Sequence, residues 1–197
     1  MIRYFAYGSD LNFDSIADWC VHADRPLPRR ENLRPAVLAH HRLCFPAYDP
    51  FWQSGVADIA QQPGKMVSGA LMELSRHGLE TLEHMGDRSR SQRTTVWVTP
   101  YVGGPPIEAI TFRSVLPDIS FIPPSQRYLH RLTQAAADVG LSMMWVMHLQ
   151  SFSAIAPTRQ DEAIECSLEF RGVPAPRLRR SRPRTNPRHE EVLELVS

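Results

Sequence analysis

The chain of 197 residues lacks the features that mark several large protein classes. It has no run of about 18 apolar residues, so we expect no membrane-spanning segment. Its three cysteines, Cys20, Cys44 and Cys166, are widely spaced, and such a sparse, odd-numbered set indicates free thiols in a reducing compartment rather than a disulfide framework. The N-terminus leads directly into a strand pattern without a secretory leader, and we therefore expect a cytoplasmic protein.

The sequence also lacks an excess of charge, a phosphate-binding loop and a metal-ligand pattern. The formal net charge is +1, which gives the bulk of the protein no electrostatic bias toward nucleic acid. Gly8 stands alone, without the spacing of a phosphate loop. His40 and His41 would point to opposite faces of a strand, and His77 and His84 have no partner ligand at a suitable spacing. We expect no metal and no organic cofactor.

The most informative stretch that is present covers residues 4–11, where a strand pattern runs into Gly8, Ser9 and Asp10 and a helix pattern follows. Glycine permits backbone conformations closed to other residues, and serine and aspartate are both favourable N-caps. Backbone N–H groups at such a turn, together with the positive end of the helix dipole, can bind a carboxylate or a polarised carbonyl. A turn with a purely structural role remains the alternative.

Apolar periodicity predicts a mixed chain of helices and strands in one domain, residues 1–165. Residues 21–35 are predicted as a surface loop. The predicted strands cover residues 2–7, 36–45, 55–61, 67–74, 94–102 and 107–112, and the predicted helices cover residues 12–19, 76–85, 126–139 and 143–149. Gly86 is predicted to take the left-handed position that follows a helix.

Residues 166–197 form a C-terminal tail rich in proline and arginine, which we predict to be extended or disordered because it cannot build a core. Six arginines lie between residues 177 and 188 and could contact phosphates. However, no aromatic residues are interleaved to stack on bases. This basic segment is the only feature that favours nucleic acid, and we expect a solvated terminus instead.

Short motifs follow one another in order between residues 2 and 150. They are Tyr7-Gly8-Ser9-Asp10-Leu11, His41-Arg42-Leu43-Cys44-Phe45, Trp52 with Gly55-Val56-Ala57-Asp58-Ile59, Pro63-Gly64 with Val67-x-Gly69-x-Leu71, Leu79-x-x-Leu82, and Pro123-Pro124-Ser125-x-x-Tyr128 with Gly140-Leu141. The series resembles the YGSNL, HRLxF, W..GxA.I, LxxLDxxEG and PPSxxY elements of the γ-glutamylcyclotransferase-like (AIG2-like) family. The resemblance implies an α+β fold: a small mixed β-barrel or sheet with surrounding helices.

The resemblance also implies a reaction. Family members cleave a γ-glutamyl amide by intramolecular aminolysis, in which the substrate's α-amine attacks its own γ-carbonyl and releases 5-oxoproline and an amine. The glutamate of LDxxEG is thought to carry the proton, and the loop of YGSNL supplies N–H donors. By this resemblance the substrate-binding residues here are Tyr7, Gly8, Ser9, Asp10, Leu11 and Tyr128.

This sequence departs from the family at the proton carrier, because Gly86 stands where the family has its glutamate. Asp87 is the nearest replacement, one residue later and one methylene shorter. Glu83 is the second candidate. We therefore predict Asp87 or Glu83 as the catalytic carboxylate, with a solvated loop position as the alternative for Asp87.

A second departure places Asp10 where the family has asparagine. A carboxylate only accepts hydrogen bonds, whereas an amide also donates them. Asp10 could repel a substrate carboxylate, attract the substrate ammonium, remain a neutral acid, or simply cap the helix. Tyr7 and Tyr128 could orient the substrate or could be ordinary half-buried aromatic residues.

Three functions are compatible with these patterns. The first is an enzyme of the γ-glutamylcyclotransferase type that acts on a γ-glutamyl or related aminoacyl amide. The second is a catalytically impaired relative that keeps the pocket as a small-molecule binding module. The third is an interaction protein that uses the basic tail.

Overall fold

The computed structural model describes residues 1–86, 91–115 and 120–156, and these residues form five strands and four helices. The strands are β1 (Ile2–Ala6), β2 (Arg30–Asp49), β3 (Ser54–Leu74), β4 (Ser91–Pro100) and β5 (Ile107–Ser114). The helices are α1 (Phe13–His22), α2 (Arg76–Met85), α3 (Gln126–Asp138) and α4 (Met143–Gln150). A 3-10 turn, Ser9–Leu11, separates β1 from α1.

The five strands close into a barrel in the order β1-β3-β2-β4-β5. Four of the contacts between neighbouring strands are antiparallel, and β1 closes the barrel by pairing in parallel with β5 through Tyr4 and Ile110. The mixed α+β fold with a small barrel and surrounding helices is therefore confirmed.

The two longest strands, β2 and β3, run further than their sequences predict. Pro63 and Gly64 lie inside β3 and do not end it. Between the pairs Ala39–Met66 and His41–Gln61, β2 contributes one residue and β3 contributes four, residues 62–65. Pro63 and Gly64, which normally favour a turn, lie in this bulge, and the pairing of β2 with β3 continues on both sides of it. The loop predicted over residues 21–35 is wrong at both ends, because α1 continues to His22 and β2 begins at Arg30.

Serine side chains cap the starts of two of the predicted helices. Ser75 accepts a hydrogen bond from the Gly78 amide at 3.0 Å and caps α2, and Ser125 accepts one from the Tyr128 amide at 3.2 Å and caps α3. Gly86 follows α2 with a φ of −84°, so the predicted left-handed conformation there is wrong.

The N-cap of α1 is Asn12, whose side chain accepts from the Ser15 amide at 2.7 Å. Ser9 and Asp10 instead lie in the 3-10 turn that precedes this cap. The interpretation of Asp10 as the helix cap is therefore wrong.

The described residues up to 156 fall within one compact unit, Met1–Thr158. The predicted boundary at residue 165, Cys166 and the tail of residues 166–197 lie outside the described residues. None of the described helices is both long enough and apolar enough to cross a membrane.

Gly69 marks a very close approach between β3 and β1. A Cβ added at Gly69 would lie 2.2 Å from the Ala6 carbonyl oxygen and 2.8 Å from the ring of Phe5. Since the obstructing oxygen belongs to the backbone of the strand that closes the barrel, it cannot turn away as a flexible side chain would. Glycine is therefore required at this position by packing.

We predict that Gly69→Ala lowers the free energy of unfolding by about 3 kcal/mol, the upper range for overpacking a core. Gly86→Ala is the matched control, since its Cβ would meet nothing closer than the Ser91 hydroxyl at 3.4 Å. Urea denaturation of both variants measures the difference. Equal stability of the two variants would contradict the close packing of β1 against β3.

Candidate active site

A cavity of about 130 Å³ lies against the loop that follows β1. Its walls come from that loop, the adjoining ends of β2 and β3, the C-terminal end of α2, the end of β5 and one side chain of α3. Elements from the whole length of the described chain thus meet at one place.

The cavity contains most of the substrate-binding residues predicted from the sequence. Tyr7, Gly8, Ser9, Asp10 and Tyr128 all line it. Leu11 is not among the lining residues. Its side chain is buried in the core, and its amide donates to the Gly8 carbonyl at 3.0 Å.

The carboxyl group of Asp10 turns back onto its own loop. It accepts a hydrogen bond from the Gly8 amide at 2.9 Å and another from the hydroxyl of Tyr4. Burial raises the pKa of Asp10 above its usual value, although these hydrogen bonds oppose the increase. The Asp10 carboxyl group therefore already binds part of the site at which the loop amides could bind a substrate anion.

A second carboxyl group in the cavity, that of Asp58, did not emerge as a candidate from the sequence. Asp58 lies in β3 and is only 6% exposed. It accepts hydrogen bonds from the Ile59 amide at 2.7 Å and the Ser114 amide at 3.0 Å. Burial raises its pKa, and these hydrogen bonds partly oppose the increase. The available signal was a lone carboxylate between Ala57 and Ile59, since unpaired carboxylates are rarely buried without a function.

Tyr7 connects the Asp58 carboxyl group to β5. Its hydroxyl donates to the Phe112 carbonyl at 2.6 Å, and the same oxygen lies 3.1 Å from Asp58 Oδ1. Burial, followed by the charge of Asp58, raises the pKa of Tyr7 well above its usual value, so the hydroxyl keeps its proton. Tyr7 is therefore a neutral hydroxyl that lies between the Phe112 carbonyl and the Asp58 carboxyl group, within hydrogen-bond distance of both.

Arg113 supplies positive charge to the same cavity. Its charge lowers the pKa of Asp58 and opposes the effect of burial. The Nε atom of Arg113 is buried and has no hydrogen-bond partner among the described residues. A buried donor without a partner carries a cost, which a bound acceptor would remove.

Tyr128 extends from the first turn of α3 to the loop after β1. Its hydroxyl accepts from the Ala57 amide at 3.0 Å, and its ring packs against Trp52 with 5.1 Å between centroids. Burial raises its pKa above the usual range, an increase that hydrogen bonds from the backbone of Ala57 and Ser9 oppose. The side chain is thus a core aromatic whose hydroxyl reaches the cavity.

The two predicted catalytic carboxylates have different outcomes. Asp87 lies outside the described residues. Glu83 is held by Arg93 in a two-point ion pair, with both N–O distances at 2.8 Å, and it is not among the residues that line the cavity. Gly86 does line the cavity, without a side chain to contribute. Both catalytic assignments remain predictions, and the Arg93 pair does not favour Glu83.

Metal-ligating side chains do not converge in the described part of the chain. No group of three or more histidine, cysteine, aspartate or glutamate side chains there is arranged to hold a metal ion. The carboxyl groups of Asp10 and Asp58 are held by backbone amides and tyrosine hydroxyls instead.

Comparison with solved structures identifies the architecture. A protein described as γ-glutamyl cyclotransferase superposes with a TM-score of 0.66 at 23% identity, over 84% of this chain and 98% of that one. The chain has the γ-glutamylcyclotransferase fold. An uncharacterised human protein gives a TM-score of 0.67 at 24% identity, over 83% of this chain and 96% of that one.

A third similar structure, YkqA from Bacillus subtilis, gives a TM-score of 0.61 at 24% identity over 78% of this chain, which spans 56% of the length of YkqA. No protein-family model and no curated protein sequence matches the chain significantly. The similar structures therefore confirm the fold that the short motifs imply. Their sequence identities to this chain, 23% and 24%, show the fold alone.

We predict that the stability of Asp10→Asn relative to the wild type increases with pH. Because the folded-state pKa of Asp10 is raised above its ordinary value of 3.8, folding favours the protonated acid. That stabilisation is complete below the unfolded pKa and is lost as the pH rises through the folded pKa. The asparagine variant has no such group and escapes the loss.

Urea unfolding of both proteins at about pH 4 and about pH 7 measures this difference. Asp138→Asn, a change at an exposed position at the end of α3, is the control. A stability difference between Asp10→Asn and the wild type that stays constant or decreases with pH would contradict the burial of the Asp10 carboxyl group.

Proposed function

We propose that this protein is a γ-glutamylcyclotransferase-like enzyme of the cytoplasm. It cleaves a γ-glutamyl or related aminoacyl amide by intramolecular aminolysis and releases 5-oxoproline and an amine. The observation that carries the proposal is the cavity beside the Gly8 loop, which holds two carboxyl groups with raised pKa, that of the half-buried Asp10 and that of the buried Asp58.

The cavity supports the requirements of this reaction. Cyclisation requires the glutamyl unit to be held in a folded conformation, so that the α-amine lies against the γ-carbonyl. The rings of Tyr4, Tyr7 and Phe112 form walls that can confine the chain. Proton transfer requires a carboxyl group whose pKa lies near the working pH, and burial shifts both aspartates in that direction.

The glutamate that the resemblance implies as the proton carrier is absent, because Gly86 occupies its position in this sequence. Asp87 is the nearest substitute by position and Glu83 is the second. Arg93 neutralises Glu83 and would have to release it before Glu83 could act as a base. Asp87 is therefore the better of these two candidates.

We predict that the purified protein releases 5-oxoproline from one or more members of a panel of γ-glutamyl amides. The matched controls are the same amides with an acetylated α-amine, which have no nucleophile for cyclisation, and the β-aspartyl amides, whose cyclisation would require a strained four-membered ring. Chromatography of 5-oxoproline measures the product.

Turnover of the acetylated amides would show hydrolysis by water and contradict intramolecular attack. No turnover of any amide would contradict the enzyme proposal. In that case the binding-module alternative is tested by calorimetry with 5-oxoproline, which should bind in the cavity. That alternative is supported by Gly86 and by the Asp10 carboxyl group on the loop amides. The third alternative depends on residues 177–188, which lie outside the described residues.

A further inference from the structure

We propose that Asp58 is the carboxylate that carries the proton in this site, and that Arg113 beside it binds the α-carboxylate of the substrate. The inference rests on the proposed function and specifies its substrate class: acyl amides with a free α-amino acid head group. It replaces Asp87 and Glu83 as the predicted proton carriers.

The geometry of Asp58 suits a proton carrier. Backbone amides of Ile59 and Ser114 hold its two oxygens, at 2.7 Å and 3.0 Å, and Tyr7 lies 3.1 Å from Oδ1. Oδ1 has both Ile59 and Tyr7 as partners, whereas Oδ2 accepts a described hydrogen bond from the Ser114 amide alone, which leaves its second acceptor position for a substrate proton. The group is therefore fixed in orientation, as a general base must be, while it lines the cavity where the substrate would lie.

Arg113 is suited to bind the α-carboxylate of the substrate. Its side chain lines the cavity and its buried Nε has no hydrogen-bond partner in the described ranges. Arginine can bind a carboxylate through two parallel N–H donors. Arg113 and Asp58 thus present opposite charges to the same cavity, which matches the carboxylate and the ammonium of an α-amino acid.

Asp10 gives an independent reason to assign the α-carboxylate to Arg113. In the structure the Gly8 amide donates to the Asp10 carboxyl group, and Tyr4 donates to the same group. A substrate carboxylate at this loop would lose those donors to Asp10 and would meet a like charge whenever Asp10 is ionised. Arg113 lines the same cavity and offers a positive charge without that competitor.

The proton and bond changes balance without any co-reactant. The Asp58 carboxylate accepts a proton from the α-ammonium, and the free amine nitrogen forms a bond to the γ-carbonyl carbon. The bond from that carbon to the leaving nitrogen breaks as Asp58 returns the proton to it. The attacking nitrogen loses two protons in total and the leaving nitrogen gains two, each by way of Asp58, so the products are 5-oxoproline and a protonated amine.

The first test compares kinetics of Asp58→Asn, Asp10→Asn, Asp87→Asn and Glu83→Gln with a substrate that the wild type turns over. We expect kcat to fall about 10²- to 10⁴-fold in Asp58→Asn alone. Asp138→Asn is the exposed control. Circular dichroism confirms folding. Wild-type activity in Asp58→Asn, or a loss confined to Asp87→Asn, Glu83→Gln or Asp10→Asn, would overturn the assignment.

The second test uses the pH profile of the wild type, and adds the profile of Asp58→Asn where that variant folds. In the wild type, kcat/KM should fall on the acid side as Asp58 becomes protonated. Because burial raises the pKa of Asp58, that decrease should lie above the value of about 3.9 of an ordinary aspartate. An acid limb that is unchanged in a folded Asp58→Asn variant with residual activity, or a wild-type rate that is flat through this range, would contradict the role.

The third test addresses Arg113 with substrates that differ only in the α-carboxylate. 4-Aminobutanoyl amides cyclise in the same way but lack that group. We expect Arg113→Gln to raise KM for the γ-glutamyl amide about 10- to 100-fold, the range for a hydrogen bond to a charged group, with kcat nearly unchanged and KM for the 4-aminobutanoyl amide unaltered. Arg76→Gln, at an exposed site, is the control.

These outcomes separate the two proposals. A wild type without any turnover refutes the proposed function itself. If the wild type is active but Arg113→Gln leaves the ratio of KM values for the γ-glutamyl and 4-aminobutanoyl amides unchanged, the role of Arg113 is refuted. The proposed cyclotransferase reaction is not affected by that result.

Discussion

The strand pairing of β1 is the constraint on which the site depends. β1 is only five residues long, yet it pairs with β3 on one side and with β5 on the other and so closes the barrel. The Thr111 hydroxyl donates to the Phe5 carbonyl at 2.7 Å, and the Tyr7 hydroxyl donates to the Phe112 carbonyl at 2.6 Å, so side chains strengthen the short parallel contact. The loop that leaves β1 is thereby held against the ends of β3 and β5, where Asp10 and Asp58 line the cavity.

Buried charge is costly, and each aspartate in the cavity has partners that reduce this cost. Asp10 is held by the Gly8 amide and the Tyr4 hydroxyl, while Asp58 is held by the amides of Ile59 and Ser114. Both sets leave the pKa raised, because burial outweighs the hydrogen bonds. This balance moves the pKa of both carboxyl groups from that of a fully solvated aspartate toward neutral pH, the direction that proton transfer requires.

Much of the fold could be predicted from the sequence, because local signals agree with it. Ser75 and Ser125 cap the helices that their positions predict, and the hairpin of β4 and β5 follows its apolar pattern. The length of β3 could not be predicted, since Pro63 and Gly64 normally end a strand and here form a bulge opposite His40. The local preferences of proline and glycine carry no information about the pairing of β3 with β2, and that pairing decides the length of the strand.

The site residues were predictable only where a family motif included them, as it did for the Gly8 loop and for Tyr128. Tyr7, Gly8 and Ser9 were predicted from their resemblance to a family motif, whereas Asp58 and Arg113 lie in strands far apart in sequence. Their proximity arises from barrel closure, which places the end of β5 beside the start of β3. For Asp10 the position in the loop was predicted, but the orientation of its carboxyl group was not. That orientation depends on the hydrogen bond from Tyr4.

A crystal structure of the protein with 5-oxoproline bound tests the roles of Asp58 and Arg113 most directly. We expect the product in the cavity, with its carboxylate on the Arg113 guanidinium and its ring nitrogen, the former α-amine, within hydrogen-bond distance of Asp58. A product whose carboxylate lies on the amides of the Gly8 loop, with Asp58 remote from the ring nitrogen, would contradict these roles.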